Sequence, residues 1–140
     1  MTLTSRYRFS ASHRLDTAAL TPEENRRLYG KCNNPHGHGH DYVLEISVEG
    51  PVGPDGQVVN REAMDKLIRQ RVLARLDHKN LNPDLPEFAA TVATTENLAT
   101  LVHGVLTGHW TLPARLARVR ISETGRNSFE LEVPSLDGRS

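Results

Sequence analysis

His38-Gly39-His40-Asp41-Tyr42-Val43-Leu44-Glu45-Ile46-Ser47-Val48-Glu49 alternates with period two. Tyr42, Leu44, Ile46 and Val48 make one face of a strand, and Asp41, Glu45, Ser47 and Glu49 make the other. Successive side chains on a strand point to opposite sides, so the run predicts a sheet with one apolar and one polar face. His38 and His40 share the parity of the apolar residues. A strand that begins this early would turn both imidazoles inward on one face, as a pair of metal ligands.

Toward the N-terminus, Leu3, Tyr7, Phe9 and Ala11 share odd parity, and His13 continues it. A third histidine from a second strand would give three neutral nitrogen ligands and leave one position for water or substrate. That is the pattern of a catalytic zinc site, since structural sites have four protein ligands and more cysteine. Other divalent transition metals compete for such a donor set. Thr21-Pro22-Glu23-Glu24 reads as a helix start, with Thr at the N-cap, Pro at N1 and Glu at N3 in a capping box. Gly30 is a plausible stop for this short helix.

Toward the C-terminus, Gly50-Pro51-Val52-Gly53-Pro54-Asp55-Gly56 is turn material. Asn60 then caps a helix carrying Met64, Leu67, Ile68, Val72 and Leu76 on one face. Asp77-His78-Lys79-Asn80-Leu81-Asn82-Pro83 reads as an ordered loop. A second helix begins near Thr94-Thr95-Glu96 and carries Leu98, Leu101, Val102, Val105 and Leu106. Two last strands follow Pro113: Ala117, Val119 and Ile121, then Phe129, Leu131 and Val133, joined by a turn at Gly125-Arg126-Asn127. The order is β-β-α-α-β-β with a short inserted helix. It predicts an α+β fold, an antiparallel sheet backed by two helices, as a single domain over residues 1–140.

Composition narrows the function classes. Lys plus Arg and Asp plus Glu both total 17, so no basic excess argues for nucleic acid or an anionic membrane. No apolar run approaches the roughly 20 residues that span a bilayer. Met1-Thr2-Leu3-Thr4-Ser5-Arg6 lacks the apolar segment of a secretion signal. A single cysteine excludes an internal disulfide framework and fits a reducing compartment, so the cytoplasm is the expected location.

That cysteine, Cys32, stands six residues before His38, after Gly30-Lys31. It reads as a small buried hydrophobe, as a metal ligand, or as a thiolate favoured by Lys31 and a nearby cation and usable as a base. Asp77-His78 is an ordinary polar loop pair taken alone, and a proton relay if it lies beside the thiol. Glu123 shares parity with Ala117, Val119 and Ile121, so it is either a strand end in solvent or a carboxylate able to hold a cationic donor edge by paired hydrogen bonds. His103 and His109 read as surface residues. His36, His38 and His40 could also form a solvated, metal-scavenging loop.

Phe9-Ser10-Ala11-Ser12-His13-Arg14-Leu15, the stretch Cys32 to Tyr42, Asp77-His78-Lys79-Asn80-Leu81, Thr94-Thr95-Glu96-Asn97 and Glu123-Thr124 together resemble the 6-pyruvoyl-tetrahydropterin synthase family, in family order over about residues 7 to 131. The family also holds 6-carboxytetrahydropterin synthase of queuosine biosynthesis. The resemblance implies a tunnelling fold (T-fold) assembled into a homohexamer from two trimeric rings, with active sites between subunits. It implies that His13, His38 and His40 bind zinc, and that Cys32 abstracts a proton with help from Asp77 and His78. Glu123 would anchor the pterin's guanidine-like edge in a pocket lined by Thr94 and Thr95. The substrate would be 7,8-dihydroneopterin triphosphate, Mg2+ could accompany its phosphates, and Lys31, Arg14, Lys79 and Arg126 are the candidate cations for them. Loss of triphosphate would give 6-pyruvoyl-tetrahydropterin for tetrahydrobiopterin biosynthesis, without nicotinamide or flavin.

Two positions depart from the animal-type pattern, which has Asn at the places of His36 and Asp41. His36 permits a second register, Cys32, His36 and His38, with the shorter spacing of the carboxy-forming relatives. The His38 and His40 register is preferred because it runs directly into the strand. The alternatives are therefore a 6-carboxytetrahydropterin synthase on the same substrate, a hydratase or hydrolase on the same zinc, and a non-catalytic pterin or purine binding module.

Overall fold

In the computed structural model the described residues are 1–13, 15, 17–30, 38–81, 94–123 and 128–133, without the side chains of His13, His38 and Asn80. Strand β1 (Thr2–His13) pairs antiparallel with β2 (His38–Glu49) along its whole length, from Thr2 opposite Glu49 to His13 opposite His38. β2 therefore does begin at His38. β4 (Arg115–Glu123) pairs antiparallel with the other side of β2, and β5 (Ser128–Glu132) with β4. A register shift between Ser47 and Val48 lets both Val119 and Leu116 reach the apolar side. With the two-residue strand β3 (Lys79–Asn80) at the edge, the sheet order is β3-β1-β2-β4-β5.

Helix α1 (Pro22–Tyr29) is built by its capping box. Thr21 Oγ1 accepts from the Glu24 N–H at 3.1 Å, and the Glu24 carboxylate accepts from the Thr21 N–H at 2.9 Å. Donation from the Thr21 N–H to the carboxylate, with a smaller contribution from the Thr21 side chain, favours the ionised form and holds the Glu24 pKa below its usual value. Gly30 ends the helix at φ 54°, a left-handed backbone that costs glycine little. Asn25 is the buried residue of this helix. It accepts from the Thr17 N–H at 2.9 Å and donates to the Thr17 and Thr21 carbonyls at 2.9 and 3.1 Å, fixing the chain between β1 and α1.

The Asn60-capped helix begins as α2 (Arg61–Ile68), widens to a π-helical turn over Arg69–Leu73, and closes as α3 (Ala74–Leu76). The sequence reading of one regular helix misses this turn. Its cause lies in the spacing of Met64, Ile68, Val72 and Leu76, all buried and four residues apart. At 3.6 residues per turn each step of four overshoots by about 40°. The wider turn cancels that drift and keeps all four on the sheet. Helix α4 (Thr95–His109) starts at a Thr94 N-cap and buries Leu98, Val102 and Leu106.

Both long helices lie on the face carrying Tyr7, Phe9, Tyr42, Leu44, Ile46 and Ile121, which form one core with them. The opposite face is polar yet not bare. Glu45 is buried there by Arg6, Arg118 and Arg120, whose stems cover the sheet. The segment after α3, read from sequence as a loop, forms β3 instead. Lys79 and Asn80 pair parallel with Ala11 and Ser12, satisfying edge groups of β1 that a free loop would leave to water. The predicted turn at Gly125-Arg126-Asn127 lies outside the described residues. No helix among the described residues is long and apolar enough to cross a membrane.

Candidate functional site

The strand register gathers the histidine positions. His13 stands directly opposite His38, and opposite residues of an antiparallel pair share a face with α-carbons roughly 4.5–5.5 Å apart. His40 is two residues further on, opposite Ala11, on that same face. This is the face of Tyr42 and Leu44, so the three positions form a triangle at the end of the apolar side.

His40 is the described imidazole of the three, and its side chain is 7% exposed. Its Nε2 lies 3.0 Å from Oε1 of Glu123, whose side chain is 5% exposed. The ring stands edge-on to Tyr42 with centroids 6.0 Å apart. Glu123 pairs in register with Tyr42, which is why β4 delivers its carboxylate to the histidine end of β2. The other oxygen, Oε2, accepts from the Thr95 hydroxyl at 3.3 Å. Thr95 is the first residue of α4, and the Thr94 hydroxyl caps the same helix by accepting from the Asn97 N–H at 3.1 Å. The carboxylate thus meets the positive end of a helix dipole. Of the two readings of Glu123 left by its parity, a strand end in solvent is excluded.

Asp77 and His78 are set at the far edge of the sheet. The Asp77 N–H closes the helix on the Leu73 carbonyl at 2.8 Å, and Asp77 Oδ1 accepts from the Ser10 N–H at 3.0 Å. The His78 N–H donates to the Ser10 carbonyl at 2.6 Å. These bonds hold His78 at φ 61°, a left-handed conformation uncommon for a non-glycine residue. The result is an outward imidazole, 83% exposed, with Nε2 3.5 Å from Asp77 Oδ2. Neighbours in sequence need not touch, and here they do.

Pairing with Ala11 puts Lys79 in the same row of the sheet as His40, two strand spacings or roughly 10 Å away. An open hollow of about 530 Å³ is lined by Ser10, Ser12, Gly39, His40, His78 and Lys79, with Ala11 and Asp41. The Asp77–His78 corner and the histidine end of β2 therefore border one space. Ser10 escaped the sequence reading as a functional residue. Its main chain holds both members of the corner, and its hydroxyl donates to Asp41 Oδ1 at 2.6 Å. The only sequence signal for it was its place inside the Phe9–Leu15 motif.

Cys32 and His36 lie outside the described residues, as do Arg14, Lys31 and Arg126. Among the described residues no three His, Cys, Asp or Glu side chains gather as a metal group, and that set excludes the side chains of His13 and His38 and all of Cys32. The fit to zinc rests on the backbone register and on the donor chemistry. Three imidazole-bearing positions from two paired strands, on one face beside a buried carboxylate, suit a three-nitrogen site with an open position.

The sequence profile of the family described as 6-pyruvoyl tetrahydropterin synthase matches residues 2–134. The 6-pyruvoyl tetrahydrobiopterin synthase of Poecilia reticulata is 47% identical over 121 residues, covering 85% of this chain and 81% of that protein. The human protein of the same name is 44% identical over 124 residues, covering 87% of this chain and 84% of its own length. The solved structure of Caenorhabditis elegans 6-pyruvoyl tetrahydropterin synthase superposes with a TM-score of 0.86 at 37% identity, covering 95% of each chain.

Proposed function

Because the chain belongs to the 6-pyruvoyl tetrahydropterin synthase family, and is on that footing a lyase, we propose that it converts 7,8-dihydroneopterin triphosphate to 6-pyruvoyl-tetrahydropterin with loss of triphosphate. The observation that carries this reading is the register: His13 opposite His38 and His40 two residues on, one face, with Glu123 buried against His40.

His13, His38 and His40 would hold zinc, which when bound supplies Lewis-acid polarisation of the substrate's side-chain oxygens and so acidifies the adjacent C–H. Glu123 offers an ionisable carboxylate inside a buried pocket, suited to the paired N–H donors of a pterin's guanidine-like edge. Thr95 fixes the direction of that carboxylate, and Thr94 fixes the helix end from which Thr95 projects. Cys32 would take the C–H proton as thiolate, since a thiol titrates near working pH.

Asp77 and His78 would then move the proton. The Ser10 N–H pins one Asp77 oxygen and leaves the other 3.5 Å from the imidazole, from where it would orient the ring once a closer contact forms. Lys79, on the His40 row, is the described cation placed to meet the leaving triphosphate, with or without Mg2+. The exposure of His78 and the openness of the hollow support an active site completed by a neighbouring subunit within a hexamer of two trimers. Single-cysteine usage supports the cytoplasm as its location.

The test is incubation of the zinc-loaded protein with dihydroneopterin triphosphate and identification of products by mass. Released triphosphate with a pyruvoyl pterin is the expected outcome. A carboxy pterin with acetaldehyde would move the chain to the other branch of the family, and intact substrate would overturn the assignment. Cys32→Ala should retain zinc and lose elimination.

A further inference from the structure

We propose that Glu123 is a positioning residue for His40 as well as a pterin anchor, so that metal site and pterin pocket share one carboxylate. The inference rests on the preceding assignment of His40 as a metal ligand and Glu123 as the pterin's partner. What it adds comes from the side chains. His40 Nε2 and Glu123 Oε1 are 3.0 Å apart, and both side chains are buried, at 7% and 5% exposure. The contact is not an accident of two floppy groups. Tyr42 stands edge-on against the imidazole, and the Thr95 hydroxyl holds Glu123 Oε2 from the other side. The cross-strand pairing of Tyr42 with Glu123 fixes the backbones beneath both.

His40 Nε2 and Glu123 Oε1 meet at ion-pair distance without the alignment of a hydrogen bond, so the carboxylate acts on the ring through its charge, which raises the basicity of a metal-ligating histidine. Burial strengthens that effect, because the charge is poorly screened. Glu123 is thus placed to raise metal affinity from a position that is not itself one of the three histidines. A residue that only anchored the pterin would leave the metal unaffected when its charge is removed.

The experiment measures zinc affinity by competition with a chromogenic chelator, and the visible spectrum after substitution with Co2+, both without substrate. Glu123→Gln preserves shape and removes charge, and should weaken zinc about tenfold or more and alter the cobalt spectrum. Thr95→Val, which frees the far oxygen of the carboxylate, should weaken zinc by a smaller factor of about threefold. It also carries the test if the Gln variant melts too low to study. His40→Ala calibrates the assay and should lose most of the affinity. Unchanged zinc affinity and cobalt spectrum in both Glu123→Gln and Thr95→Val, with pterin binding reduced, would overturn the coupling and leave the proposed function standing. Unchanged zinc affinity in His40→Ala would instead remove the ligand assignment beneath both.

Discussion

Glu45 and Glu123 are buried to nearly the same degree, 7% and 6% exposed, on opposite faces of one sheet, and their surroundings differ completely. Glu45 sits under guanidinium groups: Arg6 at 3.1 Å, Arg120 at 3.2 Å and Arg118 at 4.0 Å. Its charge is compensated by groups that always carry the opposite sign. Glu123 faces a threonine hydroxyl and an imidazole, at the mouth of the apolar face. Those are partners whose direction and charge can change with what is bound. Burial of a carboxylate does not by itself mark a site, then; the kind of partner built around it does.

Alanine in place of each carboxylate should separate the two cases. Glu123→Ala removes paired, charge-assisted acceptors from the pterin, and kcat/KM should fall on the order of a hundred- to a thousandfold. Comparable catalysis by this variant would erase the distinction drawn above. Glu45→Ala is the mirror test, with its effect in stability. The arginines are one-third to two-thirds exposed, so water screens what they lose, and the cost should be about 1–2 kcal/mol by thermal or urea unfolding. Turnover measured well below the melting range should stay within about twofold. A collapse of activity in folded Glu45→Ala would mean that the arginine-covered face also takes part in the reaction.

The contrast also shows which features the sequence displays. Parity made both faces of β2 legible, because alternation of Tyr42, Leu44, Ile46 and Val48 with Asp41, Glu45, Ser47 and Glu49 is a local property of a strand. The caps at Thr21 and Asn60 were equally legible, since each needs only residues within one turn, and so was a helix start near Thr94-Thr95-Glu96. What periodicity could not give was long-range pairing. The Glu123–His40 contact depends on the register between β2 and β4, and the three-arginine cover of Glu45 on the register of three strands. The π turn at Arg69–Leu73 and the pairing of β3 are likewise settled by packing against the sheet. The Asp77–His78 corner was readable as a pair of residue types, but the Ser10 main chain that holds it belongs to a strand 67 positions away.

The smallest expected effect comes from the next row of the apolar face beyond Glu123, where Tyr7, opposite Leu44, crosses to helix α2. Its hydroxyl donates to Asp65 Oδ1 at 2.6 Å, and the ring is part of the core. Burial, followed by the hydrogen bond to Asp65, pushes its pKa from 10.0 up to about 12. The sign is that of a group favouring its neutral, protonated form in the folded state. Its contribution is complete below pH 10.0, where the unfolded tyrosine is also protonated, and drains away as pH rises toward about 12. Tyr7→Phe should therefore cost about 1 kcal/mol at neutral pH, the net worth of one hydrogen bond. It should also flatten the alkaline decline in stability, and leave zinc affinity and kcat/KM as they are. A buried polar group on the very face that carries Glu123 can be purely structural when its acceptor belongs to a helix of the same chain. Loss of turnover in stable Tyr7→Phe would show that the working part of the face extends at least two rows beyond His40.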